Sequence, residues 1–256
     1  MSIIALRAWY LEDYEPITEL EKRSPDIRLN KKNLLKTGLR ADFLEDSEVV
    51  KKSDWFTRYL DGENVEFYIE GSGGYCVSNI DLISHEIYFT KQSLLSQLEP
   101  VIFFSPQIEY SPTREALKEA FEKTIEILNK KSRLPLTLIE SYRSEEGAIR
   151  LNKTMMRKMR KSLLFIADTT PVTSIDGKEN KLLIPSPNVC VEIGYAIQSK
   201  KSEQILLLQE MRSDIPGEFP FDLPKTQILK FEDHNKLEKL LSQGIQAQLG
   251  RFKLFS

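Results

Sequence analysis

The stretch PSPNVCVEIGYAIQSK, residues 185–200, carries one acid on a helix whose other positions are mostly apolar or small. At roughly 100° per residue, Val189, Ile193, Ala196 and Ile197 form a face suited to packing on a sheet. Asn188, Glu192, Tyr195 and Ser199 follow one another along the border of that face. Gly194 costs roughly 1 kcal/mol relative to alanine inside a helix, which points to close approach of another backbone or of a ligand. Spacing alone leaves two readings of Glu192 open: a solvated border residue with Asn188 as the helix cap, or a carboxylate half-shielded in a crevice. A carboxylate of the second kind suits cleavage of the bond between a ribose and a nitrogen base. That reaction passes through an oxocarbenium-like state, which a fixed carboxylate can stabilise, attack or supply with water, with no metal required.

Other chemistries are poorly provided for. Two histidines, His85 and His234, cannot build a His-rich metal site or, placed as they are, a Ser-His-Asp triad. Cys76 and Cys190 lie far apart without a second pair at metal spacing, and read as reduced thiols of a cytoplasmic protein. GSGG at Gly71–Gly74 lacks the trailing Gly-Lys-Ser/Thr of a phosphate loop and no helix follows it, so it reads as a hairpin turn. Neither G-x-G-x-x-G nor the P-loop pattern occurs where a nucleotide fold would need it. No metal or cofactor is expected. Lys plus Arg number 36 against 38 Asp plus Glu, a formal charge of -2, so the total gives no reason to expect direct nucleic-acid binding. The N-terminus has no basic start followed by an apolar run, and no segment approaches the ~20 apolar residues of a membrane span. A soluble protein with no membrane partner is expected.

The elements that must position Glu192 lie in the second part of the chain. Residues 1–95 read as a small α+β region: short helices in DYEPITELEKRS and NKKNLLKTGLRADFLED, the latter on the spacing of Leu34, Leu35 and Leu39, then an antiparallel hairpin or three-strand meander around the glycine cluster. Its aromatic residues Trp55, Phe56, Phe67, Tyr68, Tyr88 and Phe89 read as core, because few lysines or arginines interleave them. From residue 98 to 256, strands alternate with helices, the pattern of a parallel sheet covered on both faces. PVIFFSPQ, LPLTLIES and LLFIAD are the first three strands, a long loop from Pro171 to Pro187 precedes the Glu192 helix, and QILLLQE and TQILKFE complete the sheet. Ligands of such sheets bind outside the carboxyl ends of the strands. Those ends carry Ser105 and Gln107, then Glu140, Ser141, Tyr142 and Arg143, then Asp168 and Thr170. A phospho-receiver would need an acidic pair where Ser105, Pro106 and Gln107 stand. Asp168 also has a plainer reading, a strand-end carboxylate capping a turn through Thr170.

Four motifs in order, FFSPQ, LLFIADTTPV, PSPNVCVEIGYA and FPFDLPKTQILKF, resemble the bacterial TIR-like domains described as predicted nucleotide-binding proteins, distant relatives of Toll/interleukin-receptor domains and of nucleoside deoxyribosyltransferases. The resemblance spans roughly residues 98–250. It implies a flavodoxin-like fold and, in catalytic relatives, cleavage of NAD or a related nucleotide as substrate at the N-glycosidic bond, with the helix glutamate, here Glu192, as the catalytic residue. By the same resemblance Phe104, Ser105 and Gln107 line the ribose or base pocket, Asp168 contacts sugar hydroxyls or a water, Asn188 and Tyr195 shape the site, and Arg143 at the second strand end joins the substrate-binding set. Glu192 follows Cys190 by two residues, where TIR enzymes often place the glutamate three after a Trp-Cys pair, and the form is closer to the ELGYA of deoxyribosyltransferase-like proteins. Nucleosides or nucleotides other than NAD therefore stay open as substrates. Relatives commonly act as antiphage effectors that deplete NAD once assembled. This implies a homo-oligomer or an upstream sensor as partner, with residues 1–95 as the sensor, assembly or partner-binding region and the Pro171–Pro187 loop as a lid or assembly contact. The alternatives are a non-catalytic nucleotide- or protein-binding module and a sugar-base transferase.

Overall fold

A computed structural model describes residues 5–34, 38–92, 97–142, 153–177, 180–219 and 227–255. The chain divides into two compact units, residues 1–98 and 99–256.

The first unit is a closed antiparallel barrel of six strands: β1 (Leu6–Tyr10), β2 (Ile27–Leu34), β3 (Gly38–Phe43), β4 (Glu66–Ile69), β5 (Gly73–Asp81) and β6 (Glu86–Lys91), paired in the order β1-β2-β3-β6-β5-β4 with β4 returning to β1. Three short helices accompany it, α1 (Ile17–Leu20), α2 (Ser47–Lys51) and α3 (Asp54–Leu60). Side chains alternate as the pleat demands: Leu39, Ala41 and Phe43 point inward and are buried, while Arg40 and Asp42 stand between them. Trp55 of α3 meets Phe67 edge-on at 5.2 Å, and Phe67 meets Phe89 at 5.9 Å, so large side chains fill the interior. On the outer wall Trp9 stacks on Tyr68 at 5.8 Å and donates its indole N–H to the carbonyl of Arg23. Register shifts at Lys31/Asn33 and Val77/Asn79 add the curvature that closure needs.

This barrel corrects the expected architecture. The chain is not a flavodoxin-like domain preceded by a hairpin or meander; it is a closed six-stranded barrel followed by a separate parallel sheet. The helix expected through NKKNLLKTGLRADFLED is replaced by β2 and β3, with Leu35 outside the described residues. Leu35 and Leu39 are four apart in the sequence, a spacing a helix would accept. The period of two over Leu39, Ala41 and Phe43, matched by pairing to β6, overrides it.

The second unit holds β7 (Glu99–Ser105), α4 (Ser111–Asn129), β8 (Thr137–Glu140), α5 (Lys153–Lys161), β9 (Ser162–Asp168), the hairpin β10 (Thr173–Asp176) and β11 (Lys181–Ile184), α6 (Pro187–Ser199), β12 (Ile205–Glu210), β13 (Ile228–Phe231) and α7 (Leu237–Leu249). The five-stranded sheet runs β13-β12-β9-β7-β8, with every pair parallel. All seven residues of β9 are buried, as a central strand covered on both faces requires. On one face Phe103, Phe165, Ala167 and Leu207 pack with Met159 of α5 and with Val189, Ile193 and Ala196 of α6. On the other, Phe104 meets Phe121 of α4 at 4.5 Å, and a Cβ on Gly244 of α7 would fall 2.4 Å from Leu229 of β13. At the far end from the candidate site, the Lys200 ammonium donates to the carbonyls of Ser162 (2.5 Å) and Arg160 (3.4 Å), closing the last turn of α5. The long loop after β9 contains the β10–β11 hairpin, which pairs Thr173 with Ile184 through Asp176 with Lys181.

Phe67 is fully buried at the centre of the barrel's aromatic contacts, so Phe67→Ala removes the packing that joins α3 to the wall. The expected loss is about 3–5 kcal/mol in chemical denaturation followed by tryptophan fluorescence. A loss under about 1 kcal/mol would show that the interior repacks freely.

Candidate functional site

In the sheet order, the chain leaves β7 through α4 toward one face and leaves β9 through α6 toward the other, so the strand order reverses between β7 and β9. Doubly wound sheets bind ligands at the carboxyl end of such a switch point. Side-chain alternation sorts the residues there. Ser105 shares its side of the sheet with Phe103, facing α6, and Asp168 shares its side with Ile166 and Phe104, facing α4.

On the α6 side, Glu192 is 2 % exposed. One of its oxygens accepts from Ser105 Oγ and the other from Ser141 Oγ, each at 2.5 Å. Ser141 follows β8 directly and is itself anchored, its N–H donating to the carbonyl of Phe104 at 2.8 Å. The acid is therefore brought in from α6 and met by hydroxyls from the ends of two adjacent strands. Both oxygens keep a donor after burial, and the pair of bonds sets the plane of the carboxyl group.

The rest of α6 divides as the spacing indicates, with three corrections. Val189, Ile193 and Ala196 are buried against the sheet, but Ile197 is 51 % exposed and lies off that face. A Cβ at Gly194 would meet no heavy atom within 4 Å, so no neighbouring backbone explains this glycine. The helix is capped at Ser186, whose hydroxyl donates to Glu109 at 2.8 Å, and Asn188 lies inside the first turn. Asn188 and Tyr195 are half-buried and make no side-chain hydrogen bond to Glu192.

On the α4 side, Asp168 is fully buried at the end of β9. Oδ1 accepts the N–H of Thr170 at 3.0 Å, while Oδ2 has no hydrogen-bond partner within 3.5 Å among the described residues. Burial pushes the Asp168 carboxyl up to about 7. The Thr170 hydrogen bonds and the Gln107 side chain pull it back, and the neighbouring Glu210 adds to the rise. The Gln107 amide is spent on the turn into α4, donating to the carbonyl of Tyr110 (2.8 Å) and accepting its N–H (2.7 Å). Phe104 packs its ring on Phe121. Arg143 lies outside the described residues.

Sequence reasoning passed over several members of this edge. Ser141 was visible only as one polar residue of a strand end; its signal is that it occupies on β8 the place Ser105 occupies on β7. Glu210, at the end of β12, accepts from the Thr113 hydroxyl and pairs with His234 Nε2 at 3.2 Å, while its N–H donates to Thr170 Oγ1 at 3.0 Å. Arg212 lies 4.0 Å over the Tyr110 ring and donates to the carbonyl of Pro171. No hydrogen bond or ion pair joins Asp168 to Glu192. The two acids flank one switch point from opposite faces of the sheet.

No family model and no curated protein matches the chain. Among solved structures, a fragment described as a "putative lipoprotein" from Peptoclostridium difficile 630 is 12 % identical, covers 59 % of this chain and 99 % of its own, and superposes with a TM-score of 0.32. A likeness of that size carries no argument about fold or function. Among the described residues no helix is long and apolar enough to cross a membrane, and no group of three or more His, Cys, Asp or Glu side chains is arranged to hold a metal ion.

Asp168 makes stability depend on pH. Its folded value of about 7 lies above the ordinary 3.8, so between those values the native state keeps a proton that the unfolded chain has lost. Its contribution is intact below about pH 4, falls as pH rises and is fully lost above about pH 7. Asp168→Asn removes the titration. Relative to wild type, the variant should gain a few kcal/mol between pH 4 and pH 8, measured by urea denaturation at each pH. A pH-independent difference would show that Asp168 titrates normally.

Proposed function

We propose that the protein is an N-glycosidase that cleaves the ribose–base bond of NAD or a related nucleotide, with Glu192 facing the cation that develops at the anomeric carbon. The observation that carries this reading is the burial of Glu192 at the carboxyl edge of the sheet, with each oxygen held by a serine hydroxyl at 2.5 Å.

A carboxylate held this way is oriented before substrate arrives, so little reorganisation is needed as positive charge builds on the sugar. Ser105 and Ser141 act as positioning residues, since their hydroxyls fix the carboxyl plane from two strands. Glu192 then either stabilises the cation while water attacks or bonds to it transiently. In NAD the departing nicotinamide leaves as a neutral base, so that substrate needs no proton donor opposite the carboxylate. The edge also offers hydrogen-bonding groups on the α4 side, chiefly Asp168, for the rest of a nucleotide lying across the switch point. The reading goes with a cytoplasmic protein whose free thiols Cys76 and Cys190 remain reduced, acting when assembled as an effector that depletes the nucleotide.

The test is nicotinamide release from NAD, followed by chromatography over a range of protein concentrations. Glu192→Gln should lower the rate by at least about 100-fold, and Ser105→Ala or Ser141→Ala by about 10-fold, with circular dichroism unchanged. Full activity in Glu192→Gln would sink the assignment. Saturable binding of intact NAD, with no product even in concentrated, associated protein, would favour a binding module instead. Appearance of a new nucleotide when a second base is added would identify a transferase.

A further inference from the structure

α5 reads KTMMRKMRK and contains no acid. Met159 is buried and Met155 and Met156 are half-buried, while Lys153, Arg157, Lys158 and Arg160 are exposed. A groove of about 400 Å³ runs along the helix, lined by Lys153, Thr154, Arg157, Lys158 and Lys161. Among the described residues that line it, Glu99, paired with Lys161 at 2.8 Å, is the one carboxylate.

The fold gives no account of this concentration. Lys153, Arg157 and Lys161 follow at i, i+4 and i+8, a spacing at which like charges destabilise a helix by a few tenths of a kcal/mol per pair. The helix dipole rewards cations in the last turn, which covers Lys158, Arg160 and Lys161 but not Lys153 and Arg157. The contrast with α4 is direct: there, two exposed lysines are matched, Lys123 by Glu119 and Lys130, just past the helix end, by Glu126. The whole chain carries -2, so these five cations within nine residues are a local feature that the total conceals.

We propose that the α5 groove is a docking surface for the phosphate backbone of nucleic acid, independent of the Glu192 site. A row of lysines and arginines about 13 Å long matches a repeating polyanion. An anionic membrane fits poorly: a surface-bound helix needs an apolar face free to enter the lipid, and Met155 and Met159 of α5 are turned toward the core. The lining offers side-chain cations, one threonine and the carboxylate of Glu99 held by Lys161, so recognition is of phosphates and carries no base sequence.

Fluorescence anisotropy with a labelled duplex of about 20 base pairs tests the proposal on the full chain. With about four phosphates neutralised, affinity should fall about 100-fold between 50 and 200 mM salt. The double reversal Arg157→Glu/Lys158→Glu should abolish binding at low salt, while Lys123→Glu/Lys130→Glu on α4 leaves most of it. Circular dichroism and NAD cleavage, both read on the α5 variant, separate loss of binding from loss of fold. Absence of binding at 50 mM salt, binding that survives the α5 reversal, or capture of phosphatidylserine vesicles in preference to the duplex would each overturn it.

Discussion

Burying a carboxyl group at the edge of an apolar sheet costs several kcal/mol unless donors meet both oxygens, and Glu192 is met by two. Much of the second unit follows from that requirement. Ser105 must end β7 on the α6 side, Ser141 must follow β8 close enough to reach the other oxygen, and α6 must lie across both strand ends. The anchor of α6 is the apolar set Val189, Ile193 and Ala196, which packs the helix on the sheet with Glu192 buried beside it. Packing supplies the energy, and the two hydroxyls supply the direction.

Across the switch point the same edge is left incomplete. Asp168 is as deeply buried as Glu192, yet one of its oxygens has no partner among the described residues and its carboxyl is pushed up to about 7. Two acids at one edge thus experience opposite surroundings: hydroxyl donors orient one, and desolvation with a second carboxyl nearby burdens the other. A buried polar group short of a partner is uncommon in folded proteins and calls for a reason of its own. Glu210 ties this side to α4 through Thr113 and to the segment after β13 through His234.

The barrel solves a separate problem. Six strands closed on themselves leave no unpaired edge, and an interior filled by Trp55, Phe67, Tyr75 and Phe89 leaves no lumen.

Local pattern was enough to read the alternating strands and helices of the second unit, the placement of Glu192 on a helix, and the polar strand ends, because period and turn residues are properties of short stretches. It failed where pairing between distant segments sets the answer. Closure of the barrel depends on β1 meeting β4 some sixty residues later, as in Ala8 opposite Ile69, and β2 and β3 are strands because partners exist for them. The β10–β11 hairpin is local, but its strands of four residues each are too short to show a clear period. The side of the sheet each acid faces also lies beyond local pattern. Residue identity put Glu192 and Asp168 near one edge, but strand order and pleat set them on opposite faces, and the neighbouring strand end chose Ser141 as the second donor. Chain chemistry names the groups available; long-range packing assigns their partners, because a hydrogen bond across 51 residues, as from Ser141 to Glu192, has no signature in either segment.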